Sequence, residues 1–268
     1  MRLSPNTPYD RDIFSIKQLG ENTLKIVYNS AVRVPGYECD KHIPGYESDK
    51  SYSDKGTVNE DKLSNNLSRA KTTVKELALC NPWDFWCTFT IDKEKYDRYN
   101  LDLYMRDFAK FINNYNSYKC PEEHKIKYLF VPEQHKDGAW HIHGFIKGIK
   151  PRDLYINNNG YLSWKQYDKK FGFMSMEKIK DQEKCSSYIL KYMTKDQEKN
   201  VTDLNRHLYY SSQGLKRAKV LFRGHANYFG NWDWEHEEGY VKVKTLDTRK
   251  DNLNDYIEVY QYDNTRSI

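Results

Sequence analysis

Two short stretches of the 268-residue chain hold side chains spaced for chemistry. In Trp140-His-Ile-His-Gly-Phe145 two histidines flank one bulky apolar residue. On a strand, residues two apart project from one face, so His141 and His143 point together while Trp140, Ile142 and Gly144 face the other layer. Paired imidazoles of this kind form half of a site for a divalent ion. The same pattern, taken alone, also describes two ordinary histidines on a half-exposed strand. The third ligand depends on hairpin register. A three-residue loop (Lys136, Asp137, Gly138) sets Glu133 opposite His141, whereas a two-residue Asp137-Gly138 turn slips the pairing and brings Gln134 there. Two imidazoles and a carboxylate make the better divalent-ion set, with positions left open for water or substrate oxygens, so Glu133 is the expected ligand. His135 falls at the turn, where solvent exposure is the simpler expectation.

The second stretch is Ser187-Tyr-Ile-Leu-Lys-Tyr-Met-Thr-Lys195. On a helix, residues three and four apart are neighbours, so Tyr188, Lys191, Tyr192 and Lys195 form one polar stripe, with Ile189, Leu190 and Met193 on the other side. A phenol with a pKa near 10 is a poor nucleophile at neutral pH. Nearby cations favour its phenolate, and a metal on a phosphodiester lowers the barrier to attack. A helix with partly buried tyrosines and solvated lysines is the plainer alternative.

The elements that would carry these residues read as follows. Ile13 to Val34 is a hairpin turning at Gly20-Glu-Asn22. Pro35 to Asn59 is polar, repeats Pro-Gly-Tyr-Glu at 35–38 and 44–47, and reads as a flexible linker. Leu63, Leu67, Ala70, Val74 and Leu77 recur at helical spacing up to Asn81-Pro82. The other face of that helix carries Arg69, Lys71 and Lys75, which are either solvated surface or contacts to phosphate. Trp83 to Asp92 is a strand rich in aromatic and β-branched residues. An amphipathic helix follows (Tyr104, Phe108, Phe111, Ile112, Tyr115), then strands 126–135 and 140–148, a strand over 171–179 and a helix over 182–196. This order implies an α+β fold, an antiparallel sheet with helices on one face. Leu208 to Leu215 leads to basic Lys216-Arg217, beyond which the topology is open.

Composition narrows the class. Charged residues make up 30% and no window approaches the ~18 consecutive apolar residues of a membrane span, so a soluble protein is expected. Met1 to Asp12 lacks a secretory apolar core, which implies no export and a cytoplasmic location. Five cysteines, widely spaced and without a Cys-x-x-Cys, argue against a disulfide frame or thiolate zinc site. A net charge of +5 with 23 Tyr suits single-stranded nucleic acid, although an AT-rich genome inflates the same residues.

The order of motifs is more telling than any one of them: Cys87-Thr-Phe-Thr-Ile, then Glu133 with His141-Ile-His143, then Tyr188-x-x-Lys191-Tyr192-x-x-Lys195. It resembles the HUH endonuclease superfamily, in particular the two-tyrosine rolling-circle replication initiators of single-stranded DNA phages and related plasmids or prophages. The resemblance covers about Trp83 to Asp196, with Asn81-Pro82-Trp83 and Ser212 to Leu215 flanking it.

What the resemblance implies is a single-stranded DNA nickase and ligase on a roughly five-stranded antiparallel sheet, similar to RNA-recognition domains. Tyr188 and Tyr192 would be nucleophiles that join to a 5′ phosphate, with Lys191 and Lys195 neutralising charge. His141, His143 and Glu133 would hold Mg²⁺ or Mn²⁺. Expected partners are origin DNA, a separate host helicase and a DNA polymerase, since no phosphate-loop G-x-x-x-x-G-K-[ST] occurs. Arg69, Lys71, Lys75, Lys216 and Arg217 would contact DNA. The expected division is a hairpin and linker over 1–60, the endonuclease domain over 61–232 and a C-terminal extension over 233–268. Rival readings are a two-tyrosine transposase, a relaxase, a zinc-dependent hydrolase, and a single-strand-binding domain without catalysis.

Overall fold

The computed structural model describes residues 9–33, 60–116, 120–197, 207–225, 240–247 and 256–263. The expected linker over 35–59 lies outside them. The chain forms two compact units, residues 54–216 and residues 1–53 with 217–268. The N-terminal hairpin, β1 (Tyr9–Leu19) and β2 (Thr23–Arg33), belongs to the second of these.

The larger unit begins with helix α1 (Glu60–Cys80) and strand β3 (Phe85–Ile91). Strand β3 alternates without a break. Phe85, Cys87, Phe89 and Ile91 are buried, and Trp86, Thr88 and Thr90 between them are only partly so. Helix α2 (Leu101–Tyr115) starts where the Asn100 side chain accepts the Leu103 N–H at 3.0 Å, satisfying one donor that the first turn leaves free. Its Tyr104, Met105, Phe108 and Ile112 pack on the buried face of β3.

Strands β4 (Lys127–Gln134) and β5 (Trp140–Lys147) form the central hairpin, followed by the short β6 (Leu154–Ile156) and β7 (Leu162–Trp164), helix α3 (Lys165–Lys170) and β8 (Gly172–Lys178). Helix α4 (Gln182–Gln197) and β9 (Tyr210–Ser211) complete the unit. The sheet has seven strands in the order β6-β7-β8-β3-β5-β4-β9, every pairing antiparallel. Four of these strands are long and three have two or three residues, so the α+β class holds and the sheet is larger than the five strands expected.

Helices cover both faces rather than one. Opposite α2, Val74, Leu77 and Ala78 of α1 and Ile189 and Met193 of α4 share a cluster with Leu129, Val131 and Phe145. Burying side chains the size of Ile189 and Met193 contributes about 1.5–3 kcal/mol each, which seats α4 on the sheet. The sequence carried the signal in the unbroken apolar run Tyr128 to Pro132, since a strand covered on both faces does not alternate.

Two side chains clamp the ends of this unit. Asn81 Nδ2 donates to the carbonyls of Leu77 and Lys216, and its Oδ1 accepts the Lys216 N–H at 2.8 Å. Ser212 Oγ accepts the Tyr128 N–H at 3.0 Å.

In the smaller unit the hairpin is joined by β10 (Lys219–His225), β11 (Tyr240–Asp247) and β12 (Tyr256–Asp263). Together they make a five-stranded antiparallel sheet in the order β10-β1-β2-β12-β11. The N-terminal hairpin therefore pairs directly with strands from the chain's last fifty residues. The segment expected as a separate C-terminal extension supplies two of that sheet's strands, and the larger unit ends at 216 rather than 232. Phe14, Ile26, Tyr260 and Tyr262 form its core.

Candidate active site

The hairpin loop sets the geometry of the site. His135 N–H donates to the Ala139 carbonyl at 2.9 Å and Gly138 N–H to the His135 carbonyl at 3.0 Å, with Gly138 at φ +86°. A glycine takes that left-handed position without a Cβ penalty, which favours the three-residue loop. Glu133 consequently pairs with His141, and Gln134 pairs with Trp140. The pairing continues across the sheet: Thr90 lies opposite His141, and Thr88 opposite His143.

Each histidine meets one of those threonines. Thr88 Oγ1 is 3.1 Å from His143 Nδ1, and Thr90 Oγ1 is 3.5 Å from His141 Nδ1. On the far side of its ring His143 Nε2 lies 2.9 Å from Glu133 Oε2. His143 is buried, and burial lowers its pKa to about 4 even though the Glu133 carboxylate pulls the other way. The ring is therefore neutral at pH 7, and its contact with Glu133 is a hydrogen bond from Nε2–H rather than an ion pair. Nδ1 then accepts from the Thr88 hydroxyl. Burial also lowers the His141 pKa, with the charge of His135 acting in the same direction.

His135 is exposed, as expected of a turn residue, yet its ring stacks on His141 with centroids 3.8 Å apart and planes at 13°. Arg98, in the loop after β3, pairs with Asp137 at 3.2 Å at the tip of the hairpin. Its charge contributes to the lowered His141 pKa.

Helix α4 brings the phenols to the same place. Because Ile189 and Met193 face the sheet, Tyr188 and Tyr192 fall one position back, at the edge of the helix. The Tyr192 ring lies flat on His143, with centroids 3.8 Å apart and planes at 14°. Its hydroxyl donates to the Tyr188 hydroxyl at 2.9 Å. Trp86 supports both rings at 5.4 and 6.2 Å. Lys191 Nζ stands 5.0 Å over the Tyr188 ring. Burial, then the bond to Tyr188, pushes the Tyr192 hydroxyl pKa up. Tyr188 is 44% exposed.

The structure thus joins Glu133, His141, His143, Tyr188, Tyr192 and Lys191 in one site. Lys195 lies on α4, with its side chain outside the described residues. Arg69 is exposed on α1, with Lys71 and Lys75 half-buried beside it, so their assignment to DNA rests on charge alone. Lys216 and Arg217 are exposed, and the backbone of Lys216 serves the Asn81 clamp. Sequence reasoning gave no role to Thr88, Thr90 and Trp86. Their signal is the i, i+2 period of Trp86-x-Thr-x-Thr90, the same as that of the histidines.

The donor set fits a divalent ion. A threonine hydroxyl either donates or accepts, so Thr88 can hold Nδ1–H as readily as bare Nδ1, which frees Nε2 for an ion. Among the described residues no three His, Cys, Asp or Glu side chains are gathered as closely as a metal requires, and Glu133 and His143 are bonded to each other. No helix among the described residues is long and apolar enough to cross a membrane. No curated protein and no solved structure matches the chain. Residues 84–197, less than half of the chain but the whole of it from β3 to the end of α4, match the family of the replication-associated protein ORF2, so every residue of this site lies in a segment similar to replication-associated proteins.

Proposed function

We propose that the chain is a rolling-circle replication initiator that nicks and rejoins single-stranded DNA through a tyrosine–phosphate linkage. The observation that carries this reading is the stack of Tyr192 on His143 with Tyr188 hydrogen-bonded to it, which sets two phenols against an imidazole–carboxylate pair. A segment similar to replication-associated proteins supports it.

His141, His143 and Glu133 would hold Mg²⁺ or Mn²⁺, and the ion supplies Lewis-acid polarisation of the phosphodiester. The protein does the rest. Thr88 and Thr90 fix the imidazole rings, and Trp86 fixes the phenols. Tyr188 attacks first: it is the open phenol, and charge developing on its oxygen is met by the Tyr192 hydroxyl and the Lys191 ammonium. The Tyr188 oxygen–phosphorus bond forms as the bond to the 3′ oxygen breaks, and the phenolic proton ends on that oxygen. Tyr192 attacks the regenerated junction in the later round, releasing the 3′ hydroxyl that closes a circle. Unwinding the duplex and copying it fall to a separate helicase and a polymerase.

The test mixes the protein and Mn²⁺ with single-stranded oligonucleotides tiling the replicon that encodes it, and looks for a covalent adduct on a denaturing gel. An adduct is expected from the parent chain and from Tyr192→Phe, and none from Tyr188→Phe on first cleavage. Cleavage that persists without an adduct in the Tyr188→Phe/Tyr192→Phe chain sinks the phenol mechanism and leaves a hydrolase.

A further inference from the structure

Strands β3 and β8 are buried on one face and open on the other. Toward α2, Phe85, Cys87, Phe89, Ile91, Met174 and Met176 are all buried. On the opposite face Thr88, Thr90 and Ser175 are partly exposed, and Phe173 and Glu177 are exposed. Phe173 is the odd member of that row, an aromatic ring 37% exposed among hydroxyls. One exposed phenylalanine on a protein surface is ordinary. Its register is not. Thr90 pairs with Phe173 on one side and with His141 on the other, and His141 pairs with Glu133. Residues directly opposite across strands share a face. Phe173, Thr90, His141 and Glu133 therefore form one line across the sheet, with the ring two strand spacings, about 10 Å, from the histidine.

The strand under Phe173 is held in place. Asp168 accepts the Met174 N–H at 3.2 Å and the Ser163 hydroxyl at 2.6 Å, which ties β8 to the segment before it. Every base offers a π face, so a fixed ring beside a phosphate-binding site stacks a base whatever its identity.

Resting on the single-stranded DNA reading above, we propose that Phe173 is a base-stacking platform that holds the nucleobase next to the phosphate at His141 and so sets the path of the strand over β3 and β8. Thr88, Thr90 and Ser175 line that path with hydroxyl groups able to meet phosphate or base edges. The role is positional, since the ring touches no reacting atom.

The test uses the full chain carrying Tyr188→Phe/Tyr192→Phe, in chelator, so that binding is read without cleavage. The probe is a fluorescein-labelled oligothymidine, made also with 5-iodouracil in place of thymine for photocrosslinking. Phe173→Leu is expected to weaken binding about fivefold or more, the loss of one stacked base, while Phe173→Trp binds as the parent does. Crosslinked peptides are expected to include the one that carries residue 173. Equal binding by the Leu variant, or crosslinks confined to other peptides, overturns the proposal. Melting curves matched to the parent separate lost stacking from lost fold. Absence of a covalent adduct in the unmutated chain would instead count against nicking, whatever Phe173 does.

Discussion

A buried neutral histidine has a thermodynamic signature. His143 holds a pKa near 4 where a free histidine has 6.5, because burial penalises its charged form more than Glu133 favours it. Between those two values the unfolded chain binds a proton that the folded chain refuses, so acid favours unfolding across that window. The contribution of His143 to stability is complete above pH 6.5 and is eroded as the pH falls toward 4. At about 1.4 kcal/mol for each pH unit separating the two values, it amounts to a few kcal/mol at most. In chelator, urea midpoints should fall from pH 6.5 to 4.5, and a His143→Gln chain, which has no imidazole to titrate, should show a flatter profile. Parallel profiles for the two chains would mean that the ring is already charged, and that its contact with Glu133 is an ion pair.

Strand β5 has its own weak point one residue on. Gly144 sits at φ +157°, and a Cβ there would come within 2.0 Å of the Leu129 carbonyl oxygen on β4. Backbone cannot give way as a flexible side chain does, so Gly144→Ala must push β4 and β5 apart between His143 and Phe145. We expect a loss of about 2 kcal/mol or more by denaturant unfolding, together with slower cleavage, because the shift is passed to the neighbouring His143. Gly144 was legible only as a residue facing the opposite layer. Features with a local cause were read correctly from sequence. The alternation of β3 and the hairpin loop fixed which side chains share a face, and through Gly138 they fixed Glu133 as the partner of His141. Thr88 and Thr90 escaped because their partners lie 55 and 51 residues away, and strand neighbours are chosen by the whole sheet. The same limit explains why strands 240–247 and 256–263 read as an extension: their partner β2 ends more than two hundred residues earlier.

At the scale of the molecule, the site and the second sheet are built from separate parts of the chain. Glu133, His141, His143, Tyr188, Tyr192, the threonines and Phe173 all lie between residues 54 and 216. A fragment of residues 54–216 is therefore expected to fold and to form the tyrosine adduct on a short oligonucleotide as the full chain does. Its end point matters. Stopping at 206 removes β9, the Ser212 acceptor of the Tyr128 N–H and the Lys216 backbone that Asn81 bridges. Leaving those buried or half-buried groups unpaired costs about 1–3 kcal/mol each, so the shorter fragment should melt well below the longer one. Removing residues 233–268 from the full chain acts on the other unit: it takes away β11 and β12, uncovers the edge of β2 and strips Tyr260 and Tyr262 from its core. That chain should associate through the bared strand while still nicking. If the 54–216 fragment folds, by circular dichroism and a cooperative melt, yet forms no adduct, the second sheet takes part in presenting DNA to the site. In that case the strands 9–33 and 219–263 would be the next place to look for its contacts.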